Sequence, residues 1–264
     1  MKKYVVIGNP IDHSLSPQLH NYWIKKNNIN ALYEKKKLNF TEIKDFIIDI
    51  KQKKIDGANV TVPFKKEVIP YIEKLTVEAK DTQSVNTIYL ENNQIVGHNT
   101  DVFGFESSIK EIKFDLKNKK ILILGAGGVV PSIVYSLNKM KVSKILIMNR
   151  TKKKGEDLKK LFNDLEIIEW GIVPEFDMII NATSVGLNQN DNLELNFSNI
   201  KNEKFFYDVI YNPVETNFLK TGKDLGNQVL NGKMMFIYQA AASFNLWHKI
   251  NPSVNKEVIE LLNR

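Results

Sequence analysis

The segment 121–150 limits the possible folds more than any other part of the chain, because two short apolar runs in it flank a glycine-rich turn. The first run, 121–124, leads into Gly125-Ala126-Gly127-Gly128 and an amphipathic stretch that predicts a helix to Lys139; the second run is 144–148. Glycines at such a turn let the backbone approach a pyrophosphate, whose charge then meets the helix N-terminus. The order strand, glycine turn, helix and strand predicts a dinucleotide-binding unit.

The rest of the chain alternates in the same way between short apolar runs and longer amphipathic stretches. This alternation favours an α/β fold with parallel sheets. We expect Ser16 to cap the first helix, with Pro17 at the first helical position. Further strands are predicted at 4–7, 32–38, 57–62, 177–180 and 205–209, and helices at 17–26, 41–51, 235–247 and 253–262.

The composition excludes several classes of protein. The chain has 264 residues, of which 43% are hydrophobic, enough for one large or two modest domains. It has no cysteine, which excludes disulfides, thiolate metal sites and cysteine nucleophiles. The apolar run at 4–7 is too short for a signal peptide, and no stretch approaches the roughly 18 apolar residues of a membrane span. We therefore expect a cytoplasmic protein without a membrane partner.

The net charge of +7 is compatible with nucleic acid, or with an anionic substrate and a phosphorylated cofactor. The lysines occur in short runs, such as 35–37 and 152–154, without interleaved aromatic residues, which favours a solvated surface. We expect no nucleic-acid partner, although a non-catalytic nucleotide- or RNA-binding protein remains an alternative. The four histidines are too scattered for a metal site, and we expect them to be structural or exposed; His13, beside Ser14, is the exception to consider.

Two details of the dinucleotide segment bear on the cofactor. Val130 stands where a small residue normally allows close packing of helix and strand, and Pro131 is tolerated only in the first turn of a helix. The second strand ends at Asn149-Arg150-Thr151, with no carboxylate to bind a ribose 2′-hydroxyl. Because the Arg150 guanidinium can bind a 2′-phosphate, the sequence predicts NADP rather than NAD.

Three polar clusters in the N-terminal part point to a substrate. Ser14 and Ser16 lie between a strand and a helix, where hydroxyl groups suit an anion such as a carboxylate. Asn59, Thr61 and Lys65 follow a predicted strand at its carboxyl end, where open α/β sheets bind ligands. The third cluster is 99–101, with Asp101 at its end.

A lysine and an aspartate in one cleft can exchange protons with a hydroxyl or carbonyl oxygen. Lys65 and Asp101 are candidates for such a pair, whereas the alternative is that Lys65 is an ordinary surface lysine.

Together these clusters resemble the shikimate dehydrogenase family over essentially the whole chain. The order and spacing of the motifs are more specific than any one of them. The resemblance rests on 13–17 with His20 and Asn21, on 59–65, 85–87, 99–101 and 104–105, on 125–128, 149–151, 181–184 and Gly186, and on Asp208, Tyr211, Pro213, Thr216, Gln239 and Ala240.

The resemblance implies an NADP-dependent, reversible reduction of 3-dehydroshikimate to shikimate in aromatic amino-acid precursor synthesis. It implies an N-terminal α/β substrate domain, 1–104 with 236–264, and a Rossmann-type NADP domain, 105–235, with the C-terminal helices returning to the first lobe. A monomer or homodimer is expected. A relative that also accepts quinate or uses NAD is the nearest alternative.

The resemblance also implies roles for individual residues. Lys65 would be the acid/base with Asp101 as its partner, and Ser14 and Ser16 would bind the substrate carboxylate. The other substrate-binding residues would be Asn59, Thr61, Asn86, Tyr211 and Gln239. The cofactor would be bound by Gly125, Ala126, Gly127, Gly128, Val129, Asn149, Arg150, Thr151 and Thr183, with Val209 and Gly232 bordering the nicotinamide.

Overall fold

The computed structural model describes residues 1–112, 114–188 and 190–263, and the chain divides into two compact units. The first unit consists of Met1–Phe105 with Ile237–Arg264, and the second is Glu106–Phe236. Each unit is built around a six-stranded sheet. The expected α/β class with two units is therefore confirmed.

The sheet of the first unit has the order β2-β1-β3-β5-β6-β4. Parallel pairs join β1 to β2 and to β3, but β5 is antiparallel to β3 and β6, so this sheet is mixed rather than wholly parallel. Apolar side chains of β1, β3 and a neighbouring helix, among them Ile7, Val60 and Phe46, form the core. The strands are β1 (Lys2–Gly8), β2 (Ala31–Lys37), β3 (Gly57–Val60), β4 (Lys74–Leu75), β5 (Thr87–Glu91) and β6 (Gln94–His98).

The antiparallel pair β5–β6 is a hairpin that the periodicity does not predict. Its turn is Asn92-Asn93, and both residues have positive φ, 48° and 60°. Asparagine tolerates this left-handed conformation, which matches the twist of the flanking strands. The hairpin matters for the site because it places Asn86, just before β5, next to the residues that follow β6.

The helices of the first unit are α1 (Ser16–Lys26), α2 (Ile43–Lys51), α3 (Val77–Thr82) and α4 (Thr100–Glu111), which continues into the second unit. The prediction that Ser16 caps α1 is wrong: the helix begins at Ser16, Leu15 is the N-cap, and Pro17 is the second helical residue. The hydroxyl of Ser14 instead accepts a hydrogen bond from the Ser16 N–H at 3.3 Å. Ser14 thus satisfies a backbone donor at the helix start.

The sheet of the second unit is wholly parallel, in the order β12-β11-β10-β7-β8-β9. This is the Rossmann arrangement, in which the order of the strands reverses between β7 and β10. Pro131 is accommodated in the first turn of α5, as expected. The elements are β7 (Lys120–Leu124), α5 (Val130–Lys139), β8 (Lys144–Met148), α6 (Lys152–Leu161), β9 (Leu165–Ile168), β10 (Met178–Asn181), β11 (Phe205–Asp208), α7 (Asn217–Asp224) and β12 (Gln228–Asn231).

Two C-terminal helices complete the chain, α8 (Lys233–His248) and α9 (Lys256–Leu261). From Ile237 onward this segment belongs to the first unit. The indole of Trp247 donates to the Ile88 carbonyl at 3.2 Å, and Trp23 donates to Ser253 at 3.0 Å. The expected return of the C-terminal helices to the first unit is confirmed. Within the described ranges, no helix is both long and apolar enough to cross a membrane.

Candidate active site

Lys65 and Asp101 form a partly enclosed ion pair in the first unit. The Lys65 Nζ lies 2.5 Å from Asp101 Oδ2, and the two side chains are only 11% and 8% exposed. Lys65 follows β3, while Asp101 is in the first turn of α4, so two different elements bring the charges together. Lys65 is therefore no ordinary surface lysine.

The carboxylate of Asp101 is held at both oxygens. Asn86 Nδ2 donates to Oδ1 at 2.9 Å, while Lys65 occupies Oδ2. The backbone N–H of Asp101 donates to Asn99 Oδ1 at 3.1 Å. An ammonium group carries three donors, so Lys65 can donate to Asp101 and still offer protons to an oxygen of a bound molecule.

The orientation of the Asn86 amide follows from its partners. The Thr100 N–H can only donate, and it donates to Asn86 Oδ1 at 2.7 Å. The Nδ2 group must therefore face Asp101, and it also lies 3.3 Å from Gln239 Oε1. Asn86 and Gln239 thus stand beside the ion pair, as expected for neighbours of one site.

Asn59 is turned toward the protein interior. It is 6% exposed, and its Nδ2 group donates to the Asn86 carbonyl at 3.1 Å and to Ser243 Oγ at 3.0 Å. Its Oδ1 accepts from the Tyr33 hydroxyl at 2.7 Å. Because its donors face protein acceptors, Asn59 can meet a substrate only through its oxygen.

Three hydroxyl groups that hold these amides have no predicted role, although Thr87 and Thr100 stand in the motifs 85–87 and 99–101. Ser243 Oγ lies 2.8 Å from Thr87 Oγ1 and 3.1 Å from Thr100 Oγ1, and all three side chains are fully buried. Ser243 is four residues after Gln239 on α8, which places the two on one helix face. That spacing was the available signal for Ser243.

Ser14, Ser16 and Thr61 follow the ends of β1 and β3 in the same unit. The Thr61 N–H donates to the Ile7 carbonyl at 2.9 Å. A Cβ at Gly8 would stand 2.6 Å from Thr61 Cγ2, so Gly8 allows the two strand ends to approach. Ser14 and Thr61 are half-buried, while Ser16 is buried at 7% exposure.

In the second unit, the predicted cofactor residues lie at the carboxyl edge of the sheet, where its parallel strands end. The strands end together, because Leu124 is in register with Met148 and Asn181, and Asp208 with Asn181 and Asn231. The residue that follows each of these strands lies one step beyond this edge. These residues are Gly125, Asn149, Val209 and Gly232, and Thr183 is the second residue after β10.

The glycine turn fits a dinucleotide pyrophosphate. Gly125 has φ of +106°, and a Cβ there would lie 2.9 Å from the Ala182 carbonyl. Gly127 and Gly128 are exposed, and Ala126 and Val129 are half-buried. Val130 is fully buried, so the unusual valine does not cover the exposed glycines of the turn.

Gly232 and Val209 lie against each other at the same edge. A Cβ at Gly232 would stand 2.1 Å from the Val209 carbonyl oxygen, and the Gly232 N–H donates to Ile210 at 3.0 Å. Only glycine permits this approach of two backbones.

The loop after β8 presents the predicted phosphate-binding residues to solvent. Asn149 Nδ2 donates to the Thr151 carbonyl at 2.8 Å and orders the loop. Arg150 and Thr151 are exposed, as are the three lysines 152–154. A guanidinium flanked by lysines fits a 2′-phosphate.

A buried carboxylate ties two loops of this edge together. Asp208 accepts from Thr216 Oγ1 at 2.6 Å and from Asn181 Nδ2 at 3.1 Å. Asn181 Oδ1 in turn accepts from Thr183 Oγ1 at 2.7 Å. Burial raises the pKa of Asp208 to about 6, against the effect of these hydrogen bonds. Tyr211, on the loop after Asp208, stacks on Phe236 with ring centroids 4.4 Å apart.

The histidines do not assemble a metal site. Within the described parts of the chain, no group of three or more His, Cys, Asp or Glu side chains could hold a metal ion. His20 is fully buried between Tyr33 and other aromatic rings, and burial lowers its pKa to about 3. His13 is exposed.

The parallel sheet and its glycine cradle define the class of α/β proteins with a Rossmann-type dinucleotide unit, here joined to a unit that carries a lysine–aspartate pair. The comparisons with known proteins give the family. Residues 6–88 match the model of the shikimate dehydrogenase substrate-binding domain, and residues 108–217 match that of shikimate/quinate 5-dehydrogenase. The chain belongs to the shikimate dehydrogenase family.

Individual relatives can be aligned with this chain over nearly their whole length. The shikimate dehydrogenase (NADP(+)) of Pelagibacter ubique is 56% identical over 99% of both chains. The crystal structure of shikimate dehydrogenase from Aquifex aeolicus superposes with a TM-score of 0.91 at 36% identity, covering 100% of this chain and 98% of that one. The Thermus thermophilus enzyme, in complex with NADP(H) and shikimate, has a TM-score of 0.89 at 27% identity, with 99% and 98% covered.

Proposed function

We propose that the protein catalyses the reversible, NADPH-dependent reduction of 3-dehydroshikimate to shikimate. The observation that carries this proposal is the Lys65–Asp101 pair, in a family whose named members are NADP-dependent shikimate dehydrogenases. The substrate would bind to the first unit and NADP to the second, and the reaction serves the biosynthesis of aromatic amino acids. The cytoplasmic location and the monomeric or homodimeric state stay predictions.

Lys65 would provide the acid–base chemistry. NADPH, when bound, supplies the hydride that reduces the carbonyl carbon. Negative charge then develops on the carbonyl oxygen, where the Lys65 ammonium stabilises it and delivers a proton. In the oxidation direction the neutral Lys65 amine takes the hydroxyl proton. General acid–base help of this kind contributes roughly 10²–10⁴-fold to a rate.

Asp101 would keep Lys65 in place. Its two oxygens are used by Lys65 and Asn86, so the carboxylate is oriented before a substrate arrives. Preorganised charges of this kind need no rearrangement during the reaction. We assign Asn86 and Gln239, next to this pair, to the substrate hydroxyl groups, and Asn59 contributes through its oxygen.

The substrate carboxylate would bind to the hydroxyl groups of Ser14 and Ser16, with Thr61 beside them. Because the Ser14 oxygen accepts the Ser16 N–H, the Ser14 proton can be donated to the carboxylate. The predicted substrate contact of Tyr211 stays a prediction, because Tyr211 lies in the second unit.

NADP would bind along the edge of the second sheet. The glycine turn at 125–128 would hold the pyrophosphate at the start of α5, and Val129 follows it. Arg150, with Asn149 and Thr151, would bind the 2′-phosphate. Thr183, Val209 and Gly232 would line the nicotinamide end of the same edge.

An initial-rate assay with shikimate and NADP⁺ tests the proposal. We expect NADPH to form, measured by absorbance between about pH 7 and pH 10, at rates within the usual enzyme range of roughly 1–10³ s⁻¹. Absence of NADPH formation across this range, with folded protein, would refute the proposed function.

A second candidate is a dehydrogenase that also accepts quinate, which the name of the matching family model favours. Comparing kcat/KM for shikimate and quinate, each with NADP⁺ and NAD⁺, separates the two candidates. We expect shikimate with NADP⁺ to be the best combination. In the variant Arg150→Ala the KM for NADP⁺ should rise about tenfold or more, the effect of ~1.4 kcal/mol of lost binding, while the KM for NAD⁺ stays the same.

A further inference from the structure

Tyr33 is a tyrosine in the middle of β2 that none of the predicted roles includes. Its side chain is 1% exposed, and its ring stacks on His20 with centroids 4.2 Å apart and an interplanar angle of 2°. Trp247 packs at 6.0 Å on a tilted plane. The ring is therefore fixed, and the position of its hydroxyl group is fixed with it.

The hydroxyl of Tyr33 reaches a residue of the substrate site. It donates to Asn59 Oδ1 at 2.7 Å. The direction is determined, because Asn59 Nδ2 faces the backbone carbonyl of Asn86, which can only accept. Tyr33 must therefore be the donor in this hydrogen bond.

The ring of Tyr33 contacts the helix that carries Ser16, because His20, on which the ring stacks, is on α1. Tyr33 thus meets α1 through its ring and Asn59 through its hydroxyl group. It connects the helix that begins at Ser16 to the amide groups next to Asp101.

The backbone of Tyr33 is held by the same helix. The Tyr33 N–H donates to Asn21 Oδ1 at 3.0 Å, and Asn21 Nδ2 donates to the Tyr33 carbonyl at 2.8 Å. Asn21 and Ser16 are both on α1. Two independent sets of contacts thus hold α1 against Tyr33, one at its backbone and one at its ring.

We propose that Tyr33 is a positioning residue for the substrate site, because it fixes α1, the helix that begins at Ser16, relative to Asn59. It would set the separation between the carboxylate-binding serines and the amide groups around the Lys65–Asp101 pair, without touching the substrate. This inference rests on the proposed function.

The variant Tyr33→Phe keeps the ring and removes only the hydroxyl. We expect the KM for shikimate to rise about tenfold, equivalent to ~1.4 kcal/mol, because the buried Asn59 oxygen loses its donor. The KM for NADP⁺ should stay within about twofold, because the predicted cofactor residues are in the other unit.

Tyr4→Phe is the matched control. Tyr4 is the register partner of Tyr33 on β1, it is 2% exposed, and its ring packs on Trp247 at 4.9 Å. A general loosening of this aromatic cluster would raise the shikimate KM equally in both variants and would overturn the proposal. A shikimate KM of Tyr33→Phe within twofold of the wild type would also overturn it.

If Tyr33→Phe does not fold, Asn21→Ala provides the test. It releases the backbone of Tyr33 but keeps the hydroxyl, so the shikimate KM should rise about threefold, less than the loss of a buried donor would cause. An unchanged KM would again contradict the positioning role. A wild-type protein that does not oxidise shikimate would refute the proposed function itself, which separates the two failures.

Discussion

At the scale of single residues, the Lys65–Asp101 pair is the proposed reaction centre and also contributes to local stability. Its two charges are largely removed from water, so each depends on the other for compensation. Loss of one partner from such a pair leaves an uncompensated charge, which is costly. The hydrogen bond from Asn86 reduces this cost by holding the carboxylate in one orientation.

The variant Lys65→Ala should lose most of its turnover while it still binds the cofactor. We expect kcat to fall by roughly 10²–10⁴, the usual contribution of a general acid–base group. Binding of NADPH, measured by fluorescence titration, should not change. Lys66 is the exposed neighbour, and Lys66→Ala should keep the wild-type kcat. An unchanged kcat in Lys65→Ala would remove Lys65 from the mechanism.

The residues around this pair show the limit of what the sequence predicts. Lys65, Asp101, Asn86 and Gln239 could be recognised because they stand in motifs. Tyr33 and Ser243 were not recognised, because each stands outside any motif and meets Asn59 only in the folded chain. The predicted role of Ser16 as a helix cap was wrong, since the helix begins at Ser16 and Leu15 is the N-cap.

At the scale of elements, the sheet of the second unit was easier to predict than that of the first. Strands of a parallel sheet are buried on both faces and read as continuous apolar runs, as β7 and β8 do. The hairpin β5–β6 lacks such runs, and the two-residue β4 has no periodicity to detect. The mixed topology of the first sheet therefore required the structure.

The contact between the loop after β11 and the end of β12 gives a prediction at this scale. In Gly232→Ala the new Cβ would stand 2.1 Å from the Val209 carbonyl, so the backbone at the cofactor edge must shift. We expect the KM for NADP⁺ to rise at least about tenfold, because a backbone shift of even ~1 Å disturbs a positioned ligand. The KM for shikimate should change less.

Gly226→Ala is the control for this prediction. Gly226 has φ of +75°, and among the described residues no atom lies within 4 Å of the position that its Cβ would take, so the variant suffers backbone strain without a clash. Its thermal midpoint should fall, at a cost of ~1–2 kcal/mol, with both KM values retained. Equal NADP⁺ KM values for Gly232→Ala and the wild type would contradict the account of this edge.

At the scale of the whole molecule, each unit has a core of its own and its own dependence on pH. In the first unit, burial lowers the pKa of His20 to about 3. The unfolded chain has an ordinary histidine pKa and binds a proton below about pH 6.5, whereas the folded unit does not. In the second unit the raised pKa of Asp208, about 6, acts in the opposite direction, because its ionisation destabilises the folded state as the pH rises.

The first unit should therefore lose stability as the pH falls from about 6.5 toward 4, at ~1.4 kcal/mol per pH unit for a fully buried histidine. Trp23 and Trp247 lie beside His20, and their fluorescence reports the unfolding of the first unit. His20→Phe should flatten the dependence of the midpoint on pH, while His13→Gln, at an exposed site, should keep it. Identical slopes in His20→Phe and the wild type would contradict this explanation.

The central claim is that the pair in the first unit and the glycine edge in the second together perform one redox reaction. The most direct test is a complete progress curve with shikimate and NADP⁺, with the product identified by mass spectrometry. The account predicts one NADPH for each product molecule, and a product lighter than shikimate by two hydrogen atoms. NADPH formation no greater than in a blank without shikimate, or a product of any other mass, would contradict it.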